Sequence, residues 1–154
     1  MTLTPYYECE HGVIYCGDCL EVMAEFPECL KVDAVVTDPP YGVKIANWDG
    51  DIPPQPHLSQ CLFISRGPVL WFGAASVDKI FAFSTYDPHP DRLLVWYLPF
   101  SLAGTQANGF HYKWHPIWCW RLPKKQPAFT EDVIRENSDG HNWWYHPGTK
   151  PVRL

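Results

Sequence analysis

Asp38-Pro39-Pro40-Tyr41 is the stretch whose residue types and order can do chemistry together. Two prolines fix the backbone and carry no N–H, so the carbonyls of Asp38 and Pro39 are not absorbed into a strand ladder on that side. A carboxylate and a rigid carbonyl then offer two fixed acceptors in a cleft. The exocyclic amine of a nucleobase has two N–H donors. Gripped by two such acceptors, its lone pair turns outward and becomes a better nucleophile. Tyr41 adds an aromatic face on which a base can stack, worth about 1–3 kcal/mol. A paired base must first leave the duplex to be reached. Attack on an electrophilic methyl carbon is then a direct displacement with no covalent enzyme intermediate, and positioning supplies most of the rate. The structural alternative is a plain turn after a strand, since Asp and Pro favour turns for local reasons.

The surrounding pattern says which elements must position this corner. Residues 32–37 are a continuous, β-branched run, which suits a strand covered on both faces. A shorter strand is expected at 13–16. Asp18 caps a helix with Glu21 three residues on; Leu20, Val22 or Met23, and Phe26 give it a buried stripe, and Pro27 ends it. A helix is expected over 57–65, a strand over 69–72, a helix capped by Ser76 and running through Phe83, and strands over 93–97 and 117–120. Alternating strands and helices predict an α/β chain with a mostly parallel open sheet. Ligands of such sheets sit outside the carboxyl ends of the strands, where Asp38 falls. The polar stretch 122–142 reads as a loop region.

The bulk composition supports one globular domain over residues 1–154, with 46% apolar residues. No run of eighteen apolar residues suggests a membrane span, and the N-terminus lacks the pattern of a signal peptide, so a cytoplasmic protein is expected. Net charge is −5, but unevenly placed. Up to Asp91 there are four basic and thirteen acidic residues; from Arg92 onward there are eight basic and four acidic. A cationic part can meet phosphates while an acidic part faces away, although such a split also arises without function. Six cysteines in a chain of this kind read as free thiols. Cys9, His11, Cys16 and Cys19 do not have the spacing of a standard finger, so no metal is expected and the cysteines are placed beside a strand. Of the eight tryptophans, Trp96, Trp118 and Trp120 read as core. Trp143 and Trp144, in a loop near His146, are candidates to touch a ligand, as are Lys124 and Lys125 for phosphates.

Residues 14–23, then 32–42 with Asp38-Pro39-Pro40-Tyr41-Gly42, resemble the N-terminal portion of DNA amino-methyltransferases of restriction–modification systems and phages. Residues 47–53 and 69–74 resemble the segments that follow. His146-Pro147-Gly148-Thr149-Lys150-Pro151 resembles the family's His-Pro-Thr-Gln-Lys-Pro motif, with Gly148 and Thr149 as departures. The resemblance implies a partial Rossmann-like fold dependent on S-adenosylmethionine and action on the adenine amine in double-stranded DNA. It gives Asp38 and Pro39 the grip on the amine, Pro40 the shaping of the loop and Tyr41 the stacking. Asp38, His146, Lys150 and Pro151 fall near the cofactor. An Asp at the first position suits adenine, with cytosine or an RNA adenine as alternatives.

The family's Gly-rich cofactor turn is expected after the His-Pro motif, and no G-x-G occurs in the chain. Three readings follow: a truncated or split product completed by a second chain carrying that turn, a non-catalytic DNA-binding remnant, or an enzyme that binds the cofactor through a homodimer or in an unfamiliar way. The stretch 122–142 stands where a target-recognition segment is expected, and is short for one.

Overall fold

The apolar run that precedes the Asp-Pro-Pro corner forms strand β3, Val35–Thr37. It is seen in a computed structural model that describes residues 3–42, 47, 49–50, 54–98, 113–124 and 132–135. Upstream lie strands β1 (Tyr7–Cys9) and β2 (Gly12–Ile14) and helix α1 (Cys19–Ala24). Downstream follow α2 (Pro54–Ile64), β4 (Val69–Phe72), α3 (Val77–Phe83), β5 (Arg92–Tyr97), β6 (Trp114–Trp120) and β7 (Val133–Arg135).

Five strands make one sheet in the order β3-β4-β6-β5-β7. The β3-α2-β4 unit is parallel, with Val35 opposite Val69 and Thr37 opposite Trp71. β6 runs antiparallel to both β4 and β5, and β7 is parallel to β5. The sheet is therefore mixed, which corrects the mostly parallel expectation. Apolar periodicity identifies a strand but does not carry its direction. The expectation for 122–142 changes as well. Val133–Arg135 pair along the outer edge of β5, the Val95 amide donates to the Asp132 carbonyl (2.8 Å), and Ile134 packs on the core.

Period-2 alternation divides the sheet into two faces. On one, Trp71, Trp118 and Trp120 meet Leu58, Cys61 and Leu62 of α2 and Phe83 of α3. Phe83 stacks on Trp118 with centroids 4.7 Å apart. On the other, Phe72, Trp96, Ile117 and Cys119 form a second cluster, against which Tyr41 packs. Trp96, Trp118 and Trp120 are thus core, as their positions predicted. The residue on β3 that turns away from the α2 face, Val36, is 61% exposed, so β3 is covered on one face rather than two.

The turn that ends α2 fits closely against the chain leading into β3. A Cβ at Gly67 would stand 2.2 Å from the Asp33 carbonyl oxygen, so no side chain fits there. An isolated parallel bridge joins Val32 to Ser65, and the Arg66 amide donates to the Val32 carbonyl (2.8 Å). At the far end of β6, Arg121 takes φ 56, and its guanidinium donates to the carbonyls of Leu62 (2.7 Å) and Ser65 (2.6 Å). That places a cation at the C-terminal end of α2, where it complements the helix dipole.

The N-terminal part departs from expectation. The strand at 13–16 is β2, and it pairs antiparallel with β1 as an exposed hairpin outside the sheet. Cys9, Cys16, Cys19 and Cys29 are accordingly exposed, while Cys61 and Cys119 are buried. Asp18 does cap α1, its carboxylate accepting from the Leu20 (2.8 Å) and Glu21 (3.3 Å) amides. No residue of α1 is fully buried, so the expected stripe is only half-covered. Ser76 is the N-cap of α3 but makes no side-chain cap bond. Among the described residues, no group of three or more His, Cys, Asp or Glu could hold a metal ion, and no helix is long and apolar enough to cross a membrane.

Candidate active site

β3 delivers Asp38 to the end of the parallel pair, just past the point where Thr37 faces Trp71. Asp38 is exposed, and Pro39, Pro40 and Tyr41 are half-buried. The Tyr41 hydroxyl donates to the Asp38 carboxylate. Burial first, then this hydrogen bond, then the charges of Asp38 and Asp49 hold the Tyr41 phenol protonated well above the ordinary tyrosine range. The neighbouring hydroxyl thus holds the Asp38 carboxylate at the mouth of the corner.

Gly42 follows in the left-handed region at φ 69, a conformation that glycine adopts without a Cβ clash. Its amide donates to the Asp49 carboxylate at 2.8 Å. Asp49 is 5% exposed, the one buried acid among the described residues. A buried carboxylate needs such donors, because leaving it unpaired is costly. Asp49 therefore clamps the loop that follows the tetrapeptide. The sequence placed Asp49 in a segment of family resemblance but gave it no role; one acid in a polar stretch carries no signal of burial.

Beside the tetrapeptide opens a slot of about 200 Å³, lined by Pro39, Pro40 and Tyr41, by Trp71 to Ala74 at the end of β4, and by Lys79, Ala82, Phe83 and Tyr86. Its walls are aromatic and apolar, and Lys79 is the charged residue among them. The volume falls below the range of about 300–1,000 Å³ typical of whole-ligand pockets. It accommodates a ring-sized group. On the other side of Tyr41, His115 lies with its ring centroid 6.3 Å away, and its Nδ1 is 3.4 Å from the Gly73 carbonyl oxygen. Lys79 and His115 were not singled out as site residues from the sequence. Only the sheet register, which sets His115 opposite Trp96 next to Gly73, brings them in.

The structure thus gathers Asp38, Pro39, Pro40 and Tyr41 around one opening. It does not bring Lys124 there. Lys124 follows β6 at the opposite end of the sheet, where it lines a separate groove. Lys125, Trp143, Trp144, His146, Lys150 and Pro151 lie outside the described residues.

These features define a class: an α/β sheet with flanking helices and a stiff acceptor corner at the end of the parallel β3–β4 pair, on one side of the sheet. No protein-family model matches the chain. Among solved structures, it is similar to the crystal structure of the M1.HpyAVI–SAM complex, with a TM-score of 0.56 and 17% sequence identity. The match covers 89% of this chain and 70% of that one. At that identity the likeness is one of fold.

Proposed function

We propose that this chain is an S-adenosylmethionine-dependent DNA methyltransferase of restriction–modification or phage type that acts on the exocyclic amine of adenine. The observation that carries this reading is the exposed Asp38 carboxylate on a proline-stiffened corner beside a ring-sized aromatic slot. The fold shared with a protein bound to SAM supports it.

The target adenine leaves the duplex and enters beside Tyr41, against which it stacks. The Asp38 carboxylate and the Pro39 carbonyl accept from its two amine hydrogens and orient the nitrogen lone pair. S-adenosylmethionine supplies the methyl group as a sulfonium. The described residues fit one part of that cofactor: an apolar slot able to take a ring, with Lys79 at hand for an anionic group. Asp38, His146, Lys150 and Pro151 are proposed to border it. Duplex DNA is the partner, together with a second polypeptide bearing a Gly-rich turn or a second copy of this chain.

The test is methyl incorporation into adenine in duplex DNA. Asp38→Ala is expected to lower it by a factor of about 100 or more, the scale of losing a group that positions the reacting atom. Incorporation left intact by that substitution ends the proposal. Calorimetry separates the non-catalytic alternative. Heat with S-adenosylmethionine supports the enzyme; its lack alongside salt-sensitive DNA binding supports a DNA-holding module. Competition between single-stranded RNA and duplex DNA, and base analysis of the product, separate the RNA and cytosine variants of the reading.

A further inference from the structure

A second concavity lies at the other end of the sheet and shares no lining residue with the slot. It is an open groove of about 660 Å³. Arg92, the first residue of β5, and Lys124, four residues past β6, line it from separate segments of the chain, and His89 contributes from the loop before β5. Trp120 and flanking prolines form an apolar floor.

The charges here are arranged for an outside partner. Asp91 is the acid that lines the groove, and its carboxylate is engaged by the Leu122 amide (3.2 Å). The Arg121 guanidinium is held by the Leu62 and Ser65 carbonyls. Among the described residues, Arg92, Lys124 and His89 make no side-chain hydrogen bond or ion pair. Arg92 and Lys124 are both exposed. Two cations on separate segments without a partner among the described residues, in a chain of net charge −5, mark a local reversal of sign.

We infer that this groove binds the phosphodiester backbone of duplex DNA, at a distance from the target base. The geometry favours an extended polyanion over a single phosphate. The groove is open, and its cations come from separate segments of the chain. A lone phosphate is better held by convergent backbone amides. β6 sets the separation: from His115, beside Tyr41, to Trp120, on the groove floor, five steps of strand span roughly 16 Å. At about 3.4 Å per base pair, a backbone leaving the base at Asp38 reaches the groove after about five base pairs. The inference rests on the duplex-DNA reading above and adds a footprint to it.

The experiment uses the full chain and a fluorescent duplex, with anisotropy followed across salt concentrations. The R92S/K124S double variant is expected to lower the slope of log K against log salt by about 1.8, since each phosphate contact contributes about 0.9. Duplex affinity near 0.1 M salt is expected to fall at least about tenfold. Both residues are exposed, so the thermal midpoint should hold. Should the double variant unfold, K124S alone is expected to lower the slope by about 0.9. A slope unchanged in the variant overturns the inference, as does a wild-type chain that binds no duplex. Saturable binding of inorganic phosphate without duplex binding overturns it too. The S-adenosylmethionine heat of the double variant is expected to match wild type. A chain that binds duplex through this groove but never binds S-adenosylmethionine therefore fails the enzyme reading and keeps this one.

Discussion

Each end of the sheet is pinned by a charged side chain bonded to backbone, and the Asp49 and Arg121 pins work differently. At the motif end, Asp49 is buried and reaches the Gly42 amide seven residues away. At the groove end, Arg121 spans 59 and 56 residues of chain to the Leu62 and Ser65 carbonyls. The local pin shapes a loop. The long-range pin ties the end of β6 to the helix that leads into β4. The motif corner therefore depends on nearby residues for its shape and on packing for its support, whereas the groove end depends on a cross-chain tether and leaves its other cations available.

The contrast can be broken most severely through packing. Phe83→Ala empties the space between Trp118, Trp71 and Tyr86 and is expected to destabilise the fold by about 3–5 kcal/mol in urea denaturation. A loss below 1 kcal/mol would mean that the slot wall does not support the motif end. Next in size is the long-range pin. Arg121→Ala removes two charge-assisted bonds and should cost about 1.5–3 kcal/mol. Arg121→Gly should cost about 1 kcal/mol less than the alanine variant, because glycine takes φ 56 without strain. Equal losses for the two variants would remove backbone strain from the account. The smallest effect belongs to the local pin. Asp49→Asn keeps an acceptor for the Gly42 amide, so a change of less than about 1 kcal/mol is expected by the same assay. A larger loss would show that the negative charge itself organises the loop.

Much of the motif end was legible in the sequence because its signals are local. A continuous apolar run followed by two prolines announces a strand and its end, and Asp18 is bonded where a cap was expected. The unaided reading failed where information is long-range. The direction of β6 follows from pairing with β4 and β5, which no periodicity encodes. β7 is three residues inside a polar stretch, too short to show alternation. Residues 13–16 read as a strand of the alternating pattern, but Tyr7–Cys9 lies close enough in sequence to pair with Gly12–Ile14 as an exposed hairpin outside the sheet. The burial of Asp49 and the approach of His115 to Tyr41 likewise arise only once distant segments meet. Arg92, which opens β5 as an unremarkable charge in the sequence, comes to line one groove with Lys124 only once β5 pairs with β6.

The missing side chain at position 67 has a mechanical consequence. Among the described residues, β3 has a single strand neighbour, so its seat is fixed from one side, by β4 and the turn that precedes it. Any carbon added there would wedge that turn away from Asp33 and tilt the platform from which Asp38 projects five residues later. The aim of the carboxylate is thus calibrated by a void on a different element, and a variant altered at 67 would be miscalibrated with every motif residue still in place.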